Sequence, residues 1–382
     1  MDITQLNLPN NFQTPCYYYD LLFLNKTLDA VLKYSNYNGF CVKYALKANY
    51  NNKVLQQILS KNIGADCVSG GEVKKAIESG FAPSKITFAG VGKSDEEIRF
   101  ALEHNIFAFN VESLEELQVI NKLAASINVT ANVAIRINPN IDAKTHHYIT
   151  TGLDENKFGI NSYDMPNVVS ILKNATHLNF VGIHFHVGSQ IVDMNVFKSL
   201  CVRVNEWKNW FEERGFYIKA INVGGGLGIN YQQPNNDIPD FESYFKIFND
   251  FIERKANQEI HFELGRAIVG QCAALITRVL YVKKGIKKNF AVVDAGMTEL
   301  MRPALYQAFH KIEKLFDVSG IKIPYDIVGP ICESSDVFGK EVELPLLNRN
   351  DFLIIRSTGA YGEVMASNYN LRSLKNFYYK EM

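Results

Sequence analysis

Short apolar runs alternate with amphipathic segments through the first two thirds of the chain. The runs are Phe40 to Leu46, Ala65 to Ser69, Ile86 to Ala89, Ile106 to Val111, Val133 to Ile137, Phe180 to His186, Ile221 to Val223 and Ile260 to Leu264. Each is short and β-prone, so the pattern predicts strands. Between most of them apolar residues recur at helical spacing, as in Val54 to Lys61, Gly71 to Ser79, Asp95 to His104, Leu114 to Ala125 and Val196 to Phe211. A further helix over 20–36 precedes the first run, with Leu21, Leu24, Leu28, Val31 and Leu32 as its apolar stripe and Asp20 as its cap. Strand-helix alternation of this kind implies a parallel sheet. Eight units over about 225 residues fit a closed (β/α)8 barrel of the TIM type better than an open doubly wound sheet. No Gly-x-Gly-x-x-Gly follows the first run, which removes the main support for a dinucleotide-binding fold.

Past Gly265 the rhythm changes. Ala273 to Val282, Phe290 to Asp294, Tyr325 to Val328, Phe352 to Ser357 and Asn376 to Tyr379 read as strands without long helices between them. Pro303, Pro324, Pro330 and Pro345 break the remainder into turns and loops. The fold class expected is therefore α/β, a barrel over 20–265 followed by a mainly β domain over 266–382. The β-prone segment Cys16 to Tyr19, within residues 1–19, is expected to pair with that later sheet.

Composition narrows the function classes. Lysine plus arginine and aspartate plus glutamate number 40 each among 382 residues, so no global field draws the chain to nucleic acid or an anionic membrane. Six scattered cysteines, with no Cys-x-x-Cys pair, argue for reduced thiols and against a structural zinc site. The first 14 residues lack the basic start and apolar core of a signal peptide, and no apolar run reaches the roughly 20 residues of a membrane helix. A cytoplasmic protein whose partners are small molecules or further copies of itself is the expectation.

Barrel enzymes carry their chemistry at the C-terminal ends of the strands. The polar residues falling there are Lys47, Ser69, Asn110, Arg136, His184, His186, the run Gly224-Gly225-Gly226 with Gly228, Glu263 and Arg266. A lysine in Lys47's place, desolvated and near other cations, condenses with carbonyl compounds, pyridoxal phosphate (PLP) among them. An ordinary surface lysine is the alternative. Successive glycines after the seventh strand let backbone N–H groups converge on an anion, where a tight turn is the bland reading. His184 and His186 share a strand face at a spacing that would suit a metal, but no third ligand is evident nearby. A flat imidazole at His186 stacked on an aromatic cofactor is the competing reading, and His184 is set aside as a core histidine. Glu263 would keep a pyridine nitrogen protonated and make the ring an electron sink; a structural ion pair with Arg266 is the other possibility.

Together these motifs resemble those of the fold-type III PLP enzymes, and over nearly the whole chain they are most similar to the diaminopimelate decarboxylase family. The resemblance implies PLP on Lys47, ring stacking by His186, phosphate contacts from Ser189, Gly224, Gly225 and Gly226, and the pyridine-nitrogen partner at Glu263. Arg302-Pro303-Ala304-Leu305-Tyr306 resembles the segment that holds the distal carboxylate of the substrate, with help from Arg266, which also counts among the cofactor neighbours. Cys332-Glu333-Ser334 resembles a loop contributed by the neighbouring subunit, with Cys332 as proton donor and Glu333 binding the distal ammonium. Gly359-Ala360-Tyr361-Gly362 and Met365 to Asn370 resemble the family's closing motif, which places Tyr361 near cofactor and substrate. Leu264 stands where the family has proline, and Ser335 where it has glycine.

What the resemblance implies is a PLP-dependent carboxy-lyase converting meso-2,6-diaminopimelate, a diamino dicarboxylic acid, to L-lysine and carbon dioxide. That is the last step of lysine biosynthesis, carried out by a homodimer with shared active sites and no metal. A polyamine-type decarboxylase for ornithine, lysine or arginine is the first alternative, and it would leave Arg302 without a counter-ion. An amino-acid racemase would need a second base, for which there is no motif. A non-catalytic PLP-binding barrel would not need the second domain.

Overall fold

Eight parallel strands close on themselves: Phe40–Ala45, Gly64–Cys67, Ile86–Phe88, Ala108–Val111, Ala131–Arg136, Leu178–His184, Ala220–Asn222 and Glu259–Leu264. The structure is a computed structural model and describes residues 1–382 apart from 140, 142–156, 236–237, 317, 373–375 and 382. All eight expected strands are present, and the last pairs with the first from Phe40↔Ile260 to Tyr44↔Leu264. Most residues of these strands are buried, the partly exposed ones lying toward the N-terminal ends, as a parallel arrangement leads one to expect.

Helices Asn52–Ser60, Gly70–Ser79, Asp95–Glu103, Leu114–Ser126, Met165–Asn174, Asn195–Glu212 and Phe241–Phe251 lie between the strands. Several begin at a side-chain cap. Ser69 and Ser113 each accept the N–H three residues on, and Ser94 with Glu97 forms a reciprocal capping box. The barrel's closing seam is sealed by aromatic rings. Phe262 on the last strand meets Phe40 at 5.0 Å, Phe245 at 4.9 Å and Phe248 at 5.2 Å between centroids.

The described chain forms two compact units. The barrel unit comprises Leu28–Gly228 and Asp240–Gly265, and the β-rich unit comprises Met1–Thr27, Ile229–Pro239 and Arg266–Met382. In the β-rich unit the strands run in the order Ile312–Lys314, Phe352–Ile355, Ala273–Lys284, Asn289–Val293, Lys322–Val328, Val337–Pro345. The strand Cys16–Asp20 pairs antiparallel with Ala273–Lys284 and parallel with Asn376–Lys380. Tyr17 and Tyr19 stack there on Phe377 and Tyr379. Asp20 also caps the helix Leu21–Tyr34 by accepting the Phe23 N–H at 2.9 Å.

The prolines depart from expectation. Pro324 lies inside the strand Lys322–Val328 rather than breaking it, because pairing to Asn289–Val293 begins only at Asp326 and no ladder N–H is needed on that side before it. Pro345 likewise ends a strand, Val337–Pro345, hidden from the pattern by Gly339, Lys340 and a left-handed Glu341 at φ 54°. Among the described residues no helix is long and apolar enough to cross a membrane.

One glycine is demanded by the barrel itself. A Cβ on Gly182 would collide with the carbonyl of Ala220 on the next strand. Gly182→Ala should therefore cost about 1–3 kcal/mol, read as a lower urea midpoint at unchanged m-value; an unchanged midpoint would contradict the close approach.

Candidate active site

The C-terminal ends of the barrel strands bring together an amine, two carboxylates and two imidazoles. Lys47 sits in a 3-10 turn, Leu46–Ala48, directly after the first barrel strand. The Tyr44 hydroxyl pins that turn by donating to Asn49 O at 2.8 Å. Parallel pairing sets Ala45 beside Asp66 on the second strand, and Lys47 Nζ lies 3.3 Å from Asp66 Oδ2.

Glu263 closes the last strand with three strands' side chains on its carboxylate. Asn110 and Asn222 donate to Oε1 at 3.0 and 2.6 Å, and His184 Nε2 lies 3.1 Å from Oε2. Burial alone would raise this carboxyl. The charge and hydrogen bond of His184, the charge of Lys47 and the Asn222 bond outweigh it and hold Glu263 well below the usual carboxylate range. Asp66 shows the opposite balance: burial, then the neighbouring Glu263 charge, push it up to about 8 against the pull of Lys47. His184, set aside as a core histidine from the sequence, is thus a direct partner of Glu263. Strand alternation identified its face but could not show that the last strand delivers a carboxylate to it.

His186 follows on the same chain segment. Burial, then the cations Arg136 and Lys47, keep its imidazole neutral, well below its ordinary pKa. The Gly225 N–H donates to its Nδ1 at 3.4 Å, a long bond. Of the three glycines, Gly224 gives its N–H to Asn222 Oδ1 at 2.9 Å. Gly226 has no backbone N–H bond among the described residues and sits at φ 104°. Cβ atoms on Gly224 and Gly225 would strike the carbonyls of Phe185 and Glu263. Ser189 lies in the partly accessible loop after His186. Two other strand-end residues serve the scaffold: Ser69 caps a helix, and Arg136 pairs with Glu112 at 2.5 Å. A cavity of about 690 Å³ opens at the opposite, N-terminal mouth, lined by Cys41, Lys43, Lys219, Glu259 and His261 among others. That end of such barrels serves stability rather than chemistry.

In the β-rich unit the structure gathers Arg266, Arg302, Tyr306 and Tyr361, with Tyr231 among them. Arg266 begins the short helix Arg266–Val269, and its Nη1 donates to the Tyr231 hydroxyl at 2.5 Å. Its guanidinium lies 4.9 Å from the Tyr361 ring centre. Tyr361 holds a left-handed φ of 56°, a conformation bulky residues rarely adopt. Arg302 heads the helix Arg302–Tyr306, where Pro303 occupies a position that needs no N–H. Both arginines interact electrostatically with Tyr231, Tyr306 and Tyr361. Cys332 and Glu333 are exposed and associate with another turn: the Cys332 N–H meets Asn370 Oδ1 at 3.4 Å, and the Tyr369 hydroxyl donates to Glu333 Oε1 at 2.7 Å. Ser335 adopts no left-handed φ, so the glycine of the family pattern is not required there.

Residues 26–270 match the family model described as pyridoxal-dependent decarboxylase, pyridoxal binding domain. A diaminopimelate decarboxylase of Bacteroides thetaiotaomicron is 54% identical over 368 residues, 96% of this chain and 95% of that protein. The crystal structure of diaminopimelate decarboxylase from Helicobacter pylori complexed with L-lysine superposes with a TM-score of 0.92 at 39% identity, over 97% of this chain and 92% of that one. The arginine decarboxylase of Paramecium bursaria Chlorella virus, at 22% identity and a TM-score of 0.86, shows likeness of fold alone. The chain belongs to the pyridoxal-dependent decarboxylases and, within them, to the diaminopimelate decarboxylase family.

The cofactor this family uses suits the residues present. An amine beside an acid, a carboxylate held ionised, a neutral imidazole and glycines that admit no side chain form a donor set for a phosphorylated pyridine aldehyde. Asp66 Oδ1, Asn110 Oδ1 and His184 Nδ1 are buried there with no hydrogen-bond partner among the described residues.

Asp66 generates a pH prediction. Its folded pKa is raised, so the folded state binds the proton more tightly than the unfolded chain, and stability falls as pH climbs from about 4 through about 8. Asp66→Asn keeps the shape and removes the titration. Urea midpoints of the variant relative to wild type should rise between pH 5 and 8 and level off above; a flat difference would show Asp66 to be ionised throughout.

Proposed function

We propose that this chain is a PLP-dependent decarboxylase that converts meso-2,6-diaminopimelate to L-lysine and carbon dioxide, the last step of lysine biosynthesis. The observation that carries the reading is Arg302. It is buried, and among the described residues it has no carboxylate partner; its guanidinium meets His310 and the face of Tyr231. A buried guanidinium so placed calls for an anionic ligand, and a second carboxylate distinguishes diaminopimelate from lysine, ornithine and arginine.

When bound, PLP supplies an electron sink for the pair left on Cα as carbon dioxide departs. Lys47 holds the cofactor through its amine, with Asp66 alongside to orient Nζ. Glu263, kept ionised by Asn110, Asn222 and His184, holds a proton on the ring nitrogen. His186 stacks on the ring. Ser189, Gly225 and Gly226 would take the phosphate, with Gly224 shaping the loop, and the family resemblance adds Arg266 and Tyr361 as cofactor contacts. For the substrate, Arg266, Arg302 and Tyr306 bind the distal carboxylate and Tyr361 packs beside them. Cys332 delivers the proton to Cα and Glu333 takes the distal ammonium, both from the second copy of a homodimer; their exposure on their own chain supports that reading. The reading carries with it a soluble, cytoplasmic enzyme.

Carbon dioxide release tests the substrate. meso-Diaminopimelate should be turned over, while L-lysine and L-ornithine should be poorer in kcat/KM by about 10⁴ or more, since they bring no carboxylate to Arg302. Arg302→Met should depress turnover of diaminopimelate far more than of ornithine. Equal use of all three substrates, or an equal loss on all three, would sink the substrate assignment while leaving the PLP chemistry intact.

Subunit mixing tests the shared site. Lys47→Ala and Cys332→Ala homodimers should each be nearly inactive. After full exchange about half the dimers are hybrids with one intact site, so roughly a quarter of wild-type activity should return. No recovery despite demonstrated exchange would place both residues in one chain's site.

A further inference from the structure

We infer that His310 is a positioning residue for Arg302, with Tyr231 as the spacer between the two guanidiniums, and that the pair sets the affinity for the distal carboxylate. The inference rests on the substrate role given to Arg302 above and extends it to residues outside that motif.

Arg266 and Arg302 are 5% and 6% exposed, and buried like charges repel. Tyr231 mediates between them. Its hydroxyl accepts from Arg266, and its ring lies 5.4 Å from the Arg302 guanidinium and 5.9 Å from that of Arg266, within reach of the attraction between a cation and an aromatic face.

His310 stands edge-on to Tyr231, with centroids 5.1 Å apart at 80°. Its Nδ1 lies 2.9 Å from the Arg356 carbonyl oxygen and its Nε2 3.3 Å from Arg302 Nε. A carbonyl only accepts and an arginine Nε–H only donates. Both contacts are therefore satisfied by a single neutral tautomer, protonated on Nδ1 with the lone pair of Nε2 facing Arg302. An imidazolium would set N–H against N–H. Burial, followed by the Arg302 charge, lowers its pKa to about 3, so the tautomer persists at working pH.

With Nε engaged, the end of the guanidinium is what Arg302 offers a ligand. Neither Nη nitrogen bonds a described residue, and that paired face suits bidentate carboxylate binding. The support behind His310 is itself tied down. Arg356 bonds Glu313 Oε2 at 2.6 Å, the Met1 carbonyl at 2.6 Å and Asn235 Oδ1 at 2.7 Å. Asn235 belongs to the same Ile229–Pro239 segment as Tyr231, so one buried arginine anchors both the spacer segment and the histidine.

Two substitutions separate positioning from mere packing. In His310→Asn the amide nitrogen stands near the place of Nδ1, keeping the bond to Arg356 and removing the acceptor for Arg302. In His310→Gln the side chain reaches the place of Nε2 and keeps that acceptor. With PLP-loaded enzyme, His310→Asn should raise KM for meso-diaminopimelate about tenfold or more with kcat changed less than about twofold, and leave residual turnover of L-ornithine unchanged. His310→Gln should stay within about threefold of wild type in KM. In an Arg302→Met background the effect of His310→Asn should vanish. Equal losses on both substrates, or multiplying effects of His310→Asn and Arg302→Met, would overturn the positioning role. If His310→Asn does not fold, His310→Gln decides: a KM increase as large as that of Arg302→Met overturns it. An unchanged KM in Arg302→Met alone would instead overturn the substrate role on which the inference rests.

Discussion

The buried carboxylate of Glu263 is the point on which the arrangement of the barrel's strand ends depends. Taking an ion out of water costs several kcal/mol after relaxation, and Glu263 is kept charged because three other strands each bring it a hydrogen-bonding side chain. Those side chains, Asn110, His184 and Asn222, converge only when the barrel closes and the strands hold register. Fold and electrostatics are therefore one constraint. Its cost falls on Asp66, which faces the same charge across the first strand and is pushed toward its neutral form.

The β-rich unit solves the converse problem. It buries two guanidiniums with Tyr231, Tyr306 and Tyr361 close to both and a neutral histidine against Arg302. Aromatic faces and a lone pair ease the burial of positive charge without neutralising it. The cluster stays cationic, the property that the proposed binding of a dicarboxylic substrate draws on.

Much of this was legible in the sequence. The eight short apolar runs gave the barrel because parallel strands buried on both faces need continuous apolar stretches. Lys47, Glu263 and the glycine run stood out because strand ends are where a barrel exposes polar groups. Ser69 and Arg136, equally visible at strand ends, turned out to cap a helix and pair with Glu112. Position along a strand marks where chemistry can be, not whether it is there. The strand Val337–Pro345 escaped notice because Gly339, Lys340 and Glu341 interrupt its apolar pattern, and its order comes from pairing with Lys322–Val328.

The sequence by itself determined the alternation of elements, the reactive residue types and their order along the chain, since periodicity and motif spacing are local properties. Tertiary structure alone decided which of them meet. Asp66 reads as one polar residue in an apolar run until pairing sets it beside Ala45 and Lys47. His184 reads as a core histidine until the last strand delivers Glu263. Tyr231 and His310 carry no motif, being 79 residues apart in sequence, and they come together where Arg356 meets His310 through its carbonyl and Asn235 through its guanidinium. Hydrogen bonds and burial that cross the chain at such separations leave no periodic trace in it.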